Sequence, residues 1–307
     1  MKIVVATEKP FSKRAVEGMA AIVREAGHSC VWLEKYTSAD ELKAAVADAD
    51  ALIVRSDRVT AEVIAAAPRL RVVVRAGAGY DNLDLAACTE RGIVAMNTPG
   101  QNANAVAELA VAMMIFMARN RFTQGTGSEV CGKRLGIHAY GHVGQIVARY
   151  GRALGMEVSA CDPFITDTAV FDRDGVKRVS SPAELYRNSD YLSLHLPATA
   201  ETRGSIGYDL FVSMPPGATL VNTARKEVID EAGLAKAMTE RPDLKYITDI
   251  APDTAPELAE KFGTRFFATP KKMGAETEEA NINAGLAAAR QIVSFFRDGT
   301  AEFQVNR

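Results

Sequence analysis

Two doubly wound α/β domains, each built on a parallel sheet and with a cleft between them, are what this residue pattern dictates, on three grounds. Short apolar runs alternate with helical patterns along nearly the whole chain, the mark of parallel strands covered by helices on both faces. A glycine-bearing strand–helix–strand segment, residues 134–162, arrives only after more than a hundred residues, so another unit is built before it. The length, 307 residues, suits two domains of ordinary size.

In the first hundred residues the apolar runs are Ile3–Ala6, Val31–Leu33, Ala51–Val54, Val72–Val74 and Ile93–Ala95, each only a few residues long. Helical patterns lie between them, as at Arg14–Ala26, Asp40–Ala47 and Ala61–Ala66. Asn97-Thr98-Pro99-Gly100 stops this sheet. A long helix follows from about Asn102 to Ala118, then a polar, glycine-bearing loop at 120–132. The run Leu135–Ala139 is a strand, and Val143, Ile146, Val147, Tyr150 and Leu154 mark one face of a helix. Val158–Cys161 is the next strand and ends on Asp162. The alternation resumes through Tyr191–Leu194, Thr219–Val221, Tyr246–Thr248 and Phe266–Ala268, and residues 276–296 are helical and alanine-rich. The expected domains are 1–98 plus 284–307, and 99–283, both of Rossmann/flavodoxin-like build, with the last residues completing the first.

At 48% hydrophobic and 24% charged, the composition is that of a soluble globular protein. A net charge of −2 gives no general attraction to nucleic acid or to anionic membrane. The longest apolar stretch, Val106–Ala118, contains Glu108 and is too short to span a bilayer, so it reads as a buried or interface helix. The four cysteines, Cys30, Cys88, Cys131 and Cys161, form no C-x-x-C pair, and those in apolar contexts read as small core residues. A reducing cytoplasm fits them best, and no metal site is expected. The chain opens directly on the strand KIVVA, leaving no room for a signal peptide.

The segment 134–162 has the physical parts of a dinucleotide site. Gly141 and Gly144 let the backbone approach a pyrophosphate, the helix N-terminus offers unpaired N–H groups, and Asp162 can take both ribose hydroxyls. Tyr140, Gly141, His142, Val143 and Gly144 form the loop, where the backbone N–H of His142 matters more than its ring. Ala139 stands where the first glycine of G-x-G-x-x-G usually does, and alanine suits that place if the turn needs no positive φ. An ordinary strand–helix turn would not require Asp162. His138 lies inside a strand and reads as core. His195, in LSLHLP, ends a strand near the cofactor, with Pro197 just beyond; its ring reads as a satisfied structural histidine.

Arg75-Ala76-Gly77-Ala78-Gly79-Tyr80 follows a buried-looking strand, and its small residues expose consecutive backbone N–H groups that suit a carboxylate. The plainer alternative is tight packing. Arg55 and Arg75 end neighbouring strands and would make a fork for phosphate, although a solvated surface is the commoner fate of either arginine. Arg225, in VNTARKEVIDE, lies just beyond a strand and would face the same cleft; Asp249 ends the run YIT, and Lys271 and Lys272 lie in ATPKKMGAET.

With these pieces in view, the chain resembles the D-2-hydroxyacid dehydrogenase family, and within it the short D-3-phosphoglycerate dehydrogenases that lack a C-terminal regulatory domain. The likeness covers essentially the whole chain: VRAGAGYDNLDLAAC, RGIVAMNTPGQNANAVAELAVAMM, LGIHAYGHVG with CDPF, LSLHLPATAET, VNTARKEVIDE, ITD, TP with GAETEEANINAG, and FQVN. The NTPGQNANAVAE and NTAR blocks carry most of its specificity.

The resemblance implies NAD as cofactor and a phosphorylated 2-hydroxy acid as substrate. Hydride leaves C2 of D-3-phosphoglycerate to give 3-phosphohydroxypyruvate, an early step toward serine, while a base takes the hydroxyl proton. In the family the base is a histidine in TPH-x-G, supported by a glutamate five residues after the aspartate matching Asp249. Both are missing: Thr254 holds the glutamate's position, with Asp253 beside it, and Lys272 takes the histidine's place if Lys271 is an insertion. A swapped base is self-consistent, because a lysine base needs a pKa lowered from about 10.4. Losing the carboxylate, burying the amine and setting Arg225 nearby all push that way. The resemblance assigns Arg225 to the substrate carboxylate or C2 oxygen, Ala76, Gly77 and Ala78 to the carboxylate, and Arg55, Arg75 and Asn102 to phosphate and substrate. It assigns Asp249 to the nicotinamide amide and Thr223, Ala224 and Gly274 to its pocket. Asp162 fits NAD, since a carboxylate would repel the 2′-phosphate of NADP. Lys226 replaces a glycine, leaving added positive potential or simple exposure both open. A homodimer is implied through the helix after NTPG, with Met113, Met114, Phe116 and Met117 in the interface, though the 120–132 connection is shorter than the family's.

Two other readings stay open. One is the same chemistry on another 2-hydroxy acid, of the glyoxylate/hydroxypyruvate reductase or D-lactate type, which would not need Arg55 and Arg75. The other is a non-catalytic NAD(H)-sensing protein, which loss of the histidine and glutamate would suit and the retained Arg225 and Lys272 would not.

Overall fold

The computed structural model describes residues 1–306; Arg307, the last letter of FQVNR, lies outside them. It divides into two compact units, Met1–Asn102 with the chain from Glu276 onward, and Ala103–Ala275. The sequence reading sets these divisions at 98/99 and 283/284. The later boundary lies earlier because residues 278–298 form one unbroken helix, which a division at 283/284 would have cut.

The first unit begins β1 (Lys2–Thr7), α1 (Lys13–Glu25), β2 (Ser29–Glu34), α2 (Ala39–Val46), β3 (Ala51–Val54), α3 (Ala61–Ala65), β4 (Val72–Arg75), α4 (Leu85–Glu90) and β5 (Val94–Asn97). Its strands are parallel, in the order β2-β1-β3-β4-β5. Side-chain alternation sorts the two faces. Val4, Ala6, Leu52, Val54 and Val73 pack with Leu42, Val46, Val63 and Ile64 from α2 and α3. Ile3, Val5, Ile53, Val72 and Val74 pack with Ala15, Met19 and Val23 from α1. Strands covered on both faces have no reason to alternate, hence the short continuous apolar runs. Ser12, Ser38, Thr60 and Asp84 cap the four helices by accepting from first-turn N–H groups.

The second unit runs α5 (Ala103–Ala118), β6 (Arg134–His138), α6 (His142–Ala153), β7 (Glu157–Cys161), α7 (Ala169–Asp174), β8 (Lys177–Arg178), α8 (Pro182–Arg187), β9 (Tyr191–Leu194), α9 (Tyr208–Ser213), β10 (Thr219–Asn222), α10 (Glu231–Glu240), β11 (Lys245–Thr248), α11 (Ala255–Phe262) and β12 (Phe266–Ala268). Its strands are all parallel, in the order β12-β11-β10-β9-β6-β7-β8. Chain order reverses between β6 and β9, the switch point at which such sheets bind ligands beyond their carboxyl ends.

Helix α5 is apolar on nearly every side and packs with Ile137, Val221 and Ile247. Met113, Met114 and Met117 are 3%, 1% and 2% exposed inside this unit. They are core rather than the interface residues the resemblance implied. Of that set only Phe116 is partly exposed, with its ring against the 70% exposed Phe122. The expected plain loop after α5 instead opens with a left-handed turn: Asn120, Arg121 and Phe122 have φ of 50°, 59° and 57°. Arg121 stacks over the Phe267 ring at 5.2 Å, which helps hold that turn.

The chain returns to the first unit as α12 (Glu278–Asp298), capped by Thr277, and inserts Ala284, Ala288, Ala289 and Ile292 into the α1-side core. The tail then runs beside β5. Val305 donates to the Ala95 carbonyl at 2.8 Å, and the Asn306 side chain accepts from Ala95 N–H at 2.9 Å and donates to the Ile93 carbonyl at 2.8 Å. Among the described residues no helix is long and apolar enough to cross a membrane. All four cysteines are free thiols; Cys88 and Cys161 are buried, Cys30 partly so, and Cys131 is exposed.

Candidate active site

Strand register in the second unit sets six residues in one row at the carboxyl edge. Just past the last paired positions of β12, β11, β10, β9, β6 and β7 come Thr269, Asp249, Thr223, His195, Ala139 and Asp162. The row crosses the switch point between Ala139 and His195.

At the Ala139 end, α6 starts after Gly141 with no side-chain cap, so its first N–H groups and positive dipole end are offered outward. Gly144 is required here: a Cβ would stand 2.4 Å from the Ala139 carbonyl oxygen. Ala139 itself has φ of 76°, contrary to the expectation that alanine signals a turn without positive φ. Neighbouring bonds impose this conformation. Ala139 N–H donates to the Cys161 carbonyl at 2.9 Å, Tyr140 N–H to Asp162 Oδ2 at 2.8 Å, and Gln145 Nε2 to the Tyr140 carbonyl at 3.0 Å. The Tyr140 ring is fully buried, stacked on Phe171 at 4.8 Å, so only its backbone is left for a ligand. Asp162 also accepts from Phe164 N–H at 2.9 Å, which fixes a partly exposed carboxylate at the end of β7. His142 is exposed and Val143 partly so.

His195 N–H donates to the His138 carbonyl at 3.0 Å, but its ring Nε2 is sealed from solvent without a hydrogen-bond partner among the described residues. That corrects the reading of a satisfied structural histidine. Burial pushes the His195 pKa down to about 3 and that of His138 down to about 4, so both rings are neutral at pH 7. His138 is core, its Nδ1 3.3 Å from the Tyr186 hydroxyl. Thr223, next in the row, likewise has a buried Oγ1 without a partner. Each such atom costs about 1–3 kcal/mol while unmade, and a polar ligand on this edge would recover it. Pro197 is exposed just beyond.

Asn222, unnoticed in the sequence, builds the turn that carries Arg225. Its Oδ1 accepts from Ala224 N–H at 2.9 Å and its Nδ2 donates to the Arg225 carbonyl at 3.0 Å, while Ala224 is buried. Arg225 is partly buried and donates to the Ala224 carbonyl at 2.8 Å. Lys226 forms an ion pair with Asp253 at 2.5 Å; this hydrogen bond and charge hold its ammonium above the usual lysine range. At the position of the missing glutamate, Glu231 accepts from the N–H groups of Asp253 and Thr254, both at 3.0 Å, and from the Thr254 hydroxyl at 2.6 Å.

Lys271 and Lys272 are both exposed, so the expected burial of the amine is not found. Beside them Asp249, 1% exposed, accepts from Met273 N–H and Gly274 N–H, each at 2.8 Å, and from the Thr269 hydroxyl at 3.1 Å.

In the first unit, Ala76 N–H is taken by the Val54 carbonyl at 2.8 Å and Gly77 N–H by the Arg75 carbonyl at 2.9 Å. The N–H groups of Ala78 and Gly79 have no acceptor among the described residues, so of this segment they, and not those of Ala76 and Gly77, are left to meet an anion. Asn97 Nδ2 holds the Ala78 carbonyl at 2.7 Å. Arg75 lies against Gly77 and donates from Nε to the Arg55 carbonyl at 3.0 Å. Arg55 is not an open fork prong. It donates to the carbonyls of Lys9 and Pro10 at 3.0 and 3.2 Å and to the Asn281 side chain, and lies 5.2 Å over the Phe11 ring. Asp57 sets that geometry, accepting from Arg55 N–H at 3.1 Å and Glu8 N–H at 2.7 Å. Asn102, just before α5, is partly buried. Among the described residues no group of three or more metal-ligating side chains comes together.

The family of D-isomer specific 2-hydroxyacid dehydrogenases, catalytic domain, matches residues 7–306. The chain belongs to that family. It is 36% identical to a D-3-phosphoglycerate dehydrogenase of Methanocaldococcus jannaschii over 288 residues, 87% of this chain and 53% of the relative. It is 35% identical to a hydroxypyruvate reductase of Thermotoga maritima over 271 residues, 82% of this chain and 87% of the relative. The chain spans about half the length of the first D-3-phosphoglycerate dehydrogenases it matches. Among solved structures, an NAD+-bound 3-phosphoglycerate dehydrogenase of Entamoeba histolytica is similar with a TM-score of 0.90 and 50% identity, covering 100% of this chain and 99% of that one.

Proposed function

We propose that this chain catalyses the NAD-dependent oxidation of D-3-phosphoglycerate to 3-phosphohydroxypyruvate. The observation that carries the reading is 50% identity, along 100% of the chain, with a 3-phosphoglycerate dehydrogenase that binds NAD+. The row of strand ends suits that coenzyme. Asp162 fits a ribose diol, the uncapped first turn of α6 fits the pyrophosphate, and the unpartnered His195 Nε2 and Thr223 Oγ1 fit polar groups farther along it. When bound, NAD supplies the hydride acceptor.

The chain's own residues do the rest. Arg225 pairs with the substrate carboxylate or polarises the C2 oxygen, the N–H groups of Ala78 and Gly79 take a carboxylate oxygen, and Arg75 with Asn102 takes the far end. As hydride leaves C2 with the C2–H electron pair for the coenzyme and the C2–O bond becomes a carbonyl, the hydroxyl proton passes to Lys272 in its deprotonated form. An ammonium must shed its proton before it acts as a base, so oxidation quickens as pH rises. The partly exposed Phe116 and exposed Phe122 support a homodimer through the end of α5, and four free thiols support a reducing compartment such as cytoplasm.

A second reading, reduction of hydroxypyruvate or glyoxylate, draws support from Arg55, whose guanidinium is committed to protein acceptors and leaves one fewer phosphate ligand. Purified protein with NAD and D-3-phosphoglycerate at alkaline pH, followed by absorbance of reduced cofactor, tests the first reading. Turnover of hydroxypyruvate or glyoxylate alone would favour the second. Tight NAD binding with no turnover of either substrate would favour a sensor.

A further inference from the structure

We infer that Asp249 is a positioning residue for the lysine turn: its carboxylate grips the two peptide N–H groups that follow Lys272 and so fixes how Lys272 is presented. The inference rests on the dehydrogenase reading, in which Lys272 carries the proton, and gives Asp249 a task other than contact with the nicotinamide amide.

The turn needs such a grip. Between the end of β12 and the start of α12 the chain runs through TPKKMGAET with no helix or strand of its own. Asp249 follows directly on the neighbouring β11, one residue past the Thr248–Ala268 pair, as Thr269 follows on β12. A carboxylate that is 1% exposed must be met by donors, and here the donors are peptide N–H groups of the turn. Oδ1 accepts from Met273 N–H and Oδ2 from Gly274 N–H, both at 2.8 Å, a two-pronged contact that one amide oxygen could not reproduce. The Met273 N–H belongs to the peptide bond directly after Lys272, so the backbone on that side of the lysine is fixed.

Two neighbours complete the clamp. The Thr269 hydroxyl lies 2.9 Å from both the Asp249 and the Lys271 carbonyls and 3.1 Å from Asp249 Oδ1, and its one proton serves one of the three at a time. Gly274 permits the close approach: a Cβ there would stand 2.9 Å from Asp249 Oδ2 and 3.4 Å from the Val106 side chain. The residue pattern D…TPKKMG is thus one device, with the acid on one strand end and the glycine it needs on the loop from the next.

The test uses Asp249→Asn, Asp249→Ala and Gly274→Ala in the full chain. In Asp249→Asn an amide NH2 faces a peptide N–H, and displacement of the base is expected to lower kcat about a hundredfold. NAD Kd and the KM for D-3-phosphoglycerate should stay within about threefold, and the rising limb of the kcat–pH profile should move as the lysine's surroundings change. Gly274→Ala, which keeps the acid and presses on it, should give the same kcat loss. Weakened NAD binding of tenfold or more with kcat retained would overturn the inference and make Asp249 a coenzyme contact. A readout independent of turnover is cleavage by trypsin at Lys271 and Lys272. Faster cleavage of folded Asp249→Ala than of the parent is expected, and equal rates would overturn the clamp. Absence of any turnover in the parent would count against the dehydrogenase reading, and the cleavage rates would then decide the clamp alone.

Discussion

The Tyr140 hydroxyl donates to Asp174 Oδ2 at 2.9 Å, tying the loop after β6 to the last residue of α7. Asp174 is also held by Arg173, and these contacts keep its carboxyl below the usual range. Tyr140→Phe keeps the buried ring and its stack on Phe171 while removing the bond. A loss of about 1 kcal/mol in urea unfolding is expected. An unchanged midpoint would show that the tie contributes nothing.

Ala139 is held at φ 76°, where a Cβ is unwelcome. Ala139→Gly should raise stability by about 0.5–1 kcal/mol, the relief of strain exceeding the extra chain entropy of glycine. Thermal unfolding checks this, and a lower Tm would mean that the methyl packs better than its backbone angle suggests.

His138 and His195 are neutral in the fold, with pKa values down to about 4 and about 3 against 6.5 for the free side chain. Below pH 6.5 the unfolded chain takes up protons that the folded chain refuses, so stability falls as pH drops from 6.5 toward 4. Tm measured across that window should decline, and His195→Gln should flatten the decline. A pH-independent Tm in the parent would mean that the rings are solvated.

Lys272→Ala should lower kcat by at least a thousandfold while NAD Kd changes little, and Lys271→Ala should stay within a few-fold of the parent. Steady-state kinetics with coenzyme titration separates them. The reverse pattern would put the insertion at Lys272.

Arg55 and Arg75 should part company. Arg55→Ala removes the contacts to Lys9, Pro10 and Asn281 and should lower Tm. Arg75→Ala should raise KM for D-3-phosphoglycerate at least tenfold and leave KM for glyoxylate within about threefold, since each charged contact is worth roughly 1.5–3 kcal/mol. Equal effects on both substrates would remove phosphate from the account.

What was legible in the sequence was what is local. The continuous runs of β3 and β4 announce strands covered on both faces, and Gly144 and Asp162 follow one after the other within a single strand–helix–strand unit. The two exposed residues of β8 carry no apolar signal at all. Long cations were the least readable. Arg55 was expected to be open because it ends a strand, yet its partner Asn281 comes from the far end of the chain. Lys226 pairs with Asp253, and a peptide N–H of the lysine turn with Asp249, each partner supplied by a segment well separated in sequence. Ala139 misled for a different reason: residue type reports what a backbone angle costs, and here the hydrogen bonds on either side overrule it.

Because α12 and the tail beside β5 belong to the unit that the first hundred residues begin, that unit is discontinuous in the chain. During synthesis its sheet emerges early with the Ile3, Val5, Ile53 and Val74 face only partly covered, while the intervening unit can close on its own as soon as its last strand leaves the ribosome. The nascent N-terminal segment must therefore wait, sticky and unfinished, until α12 and the strand-like tail beside β5 have been made. A stop codon placed before α12 should give an aggregating product, not a shorter but well-behaved one.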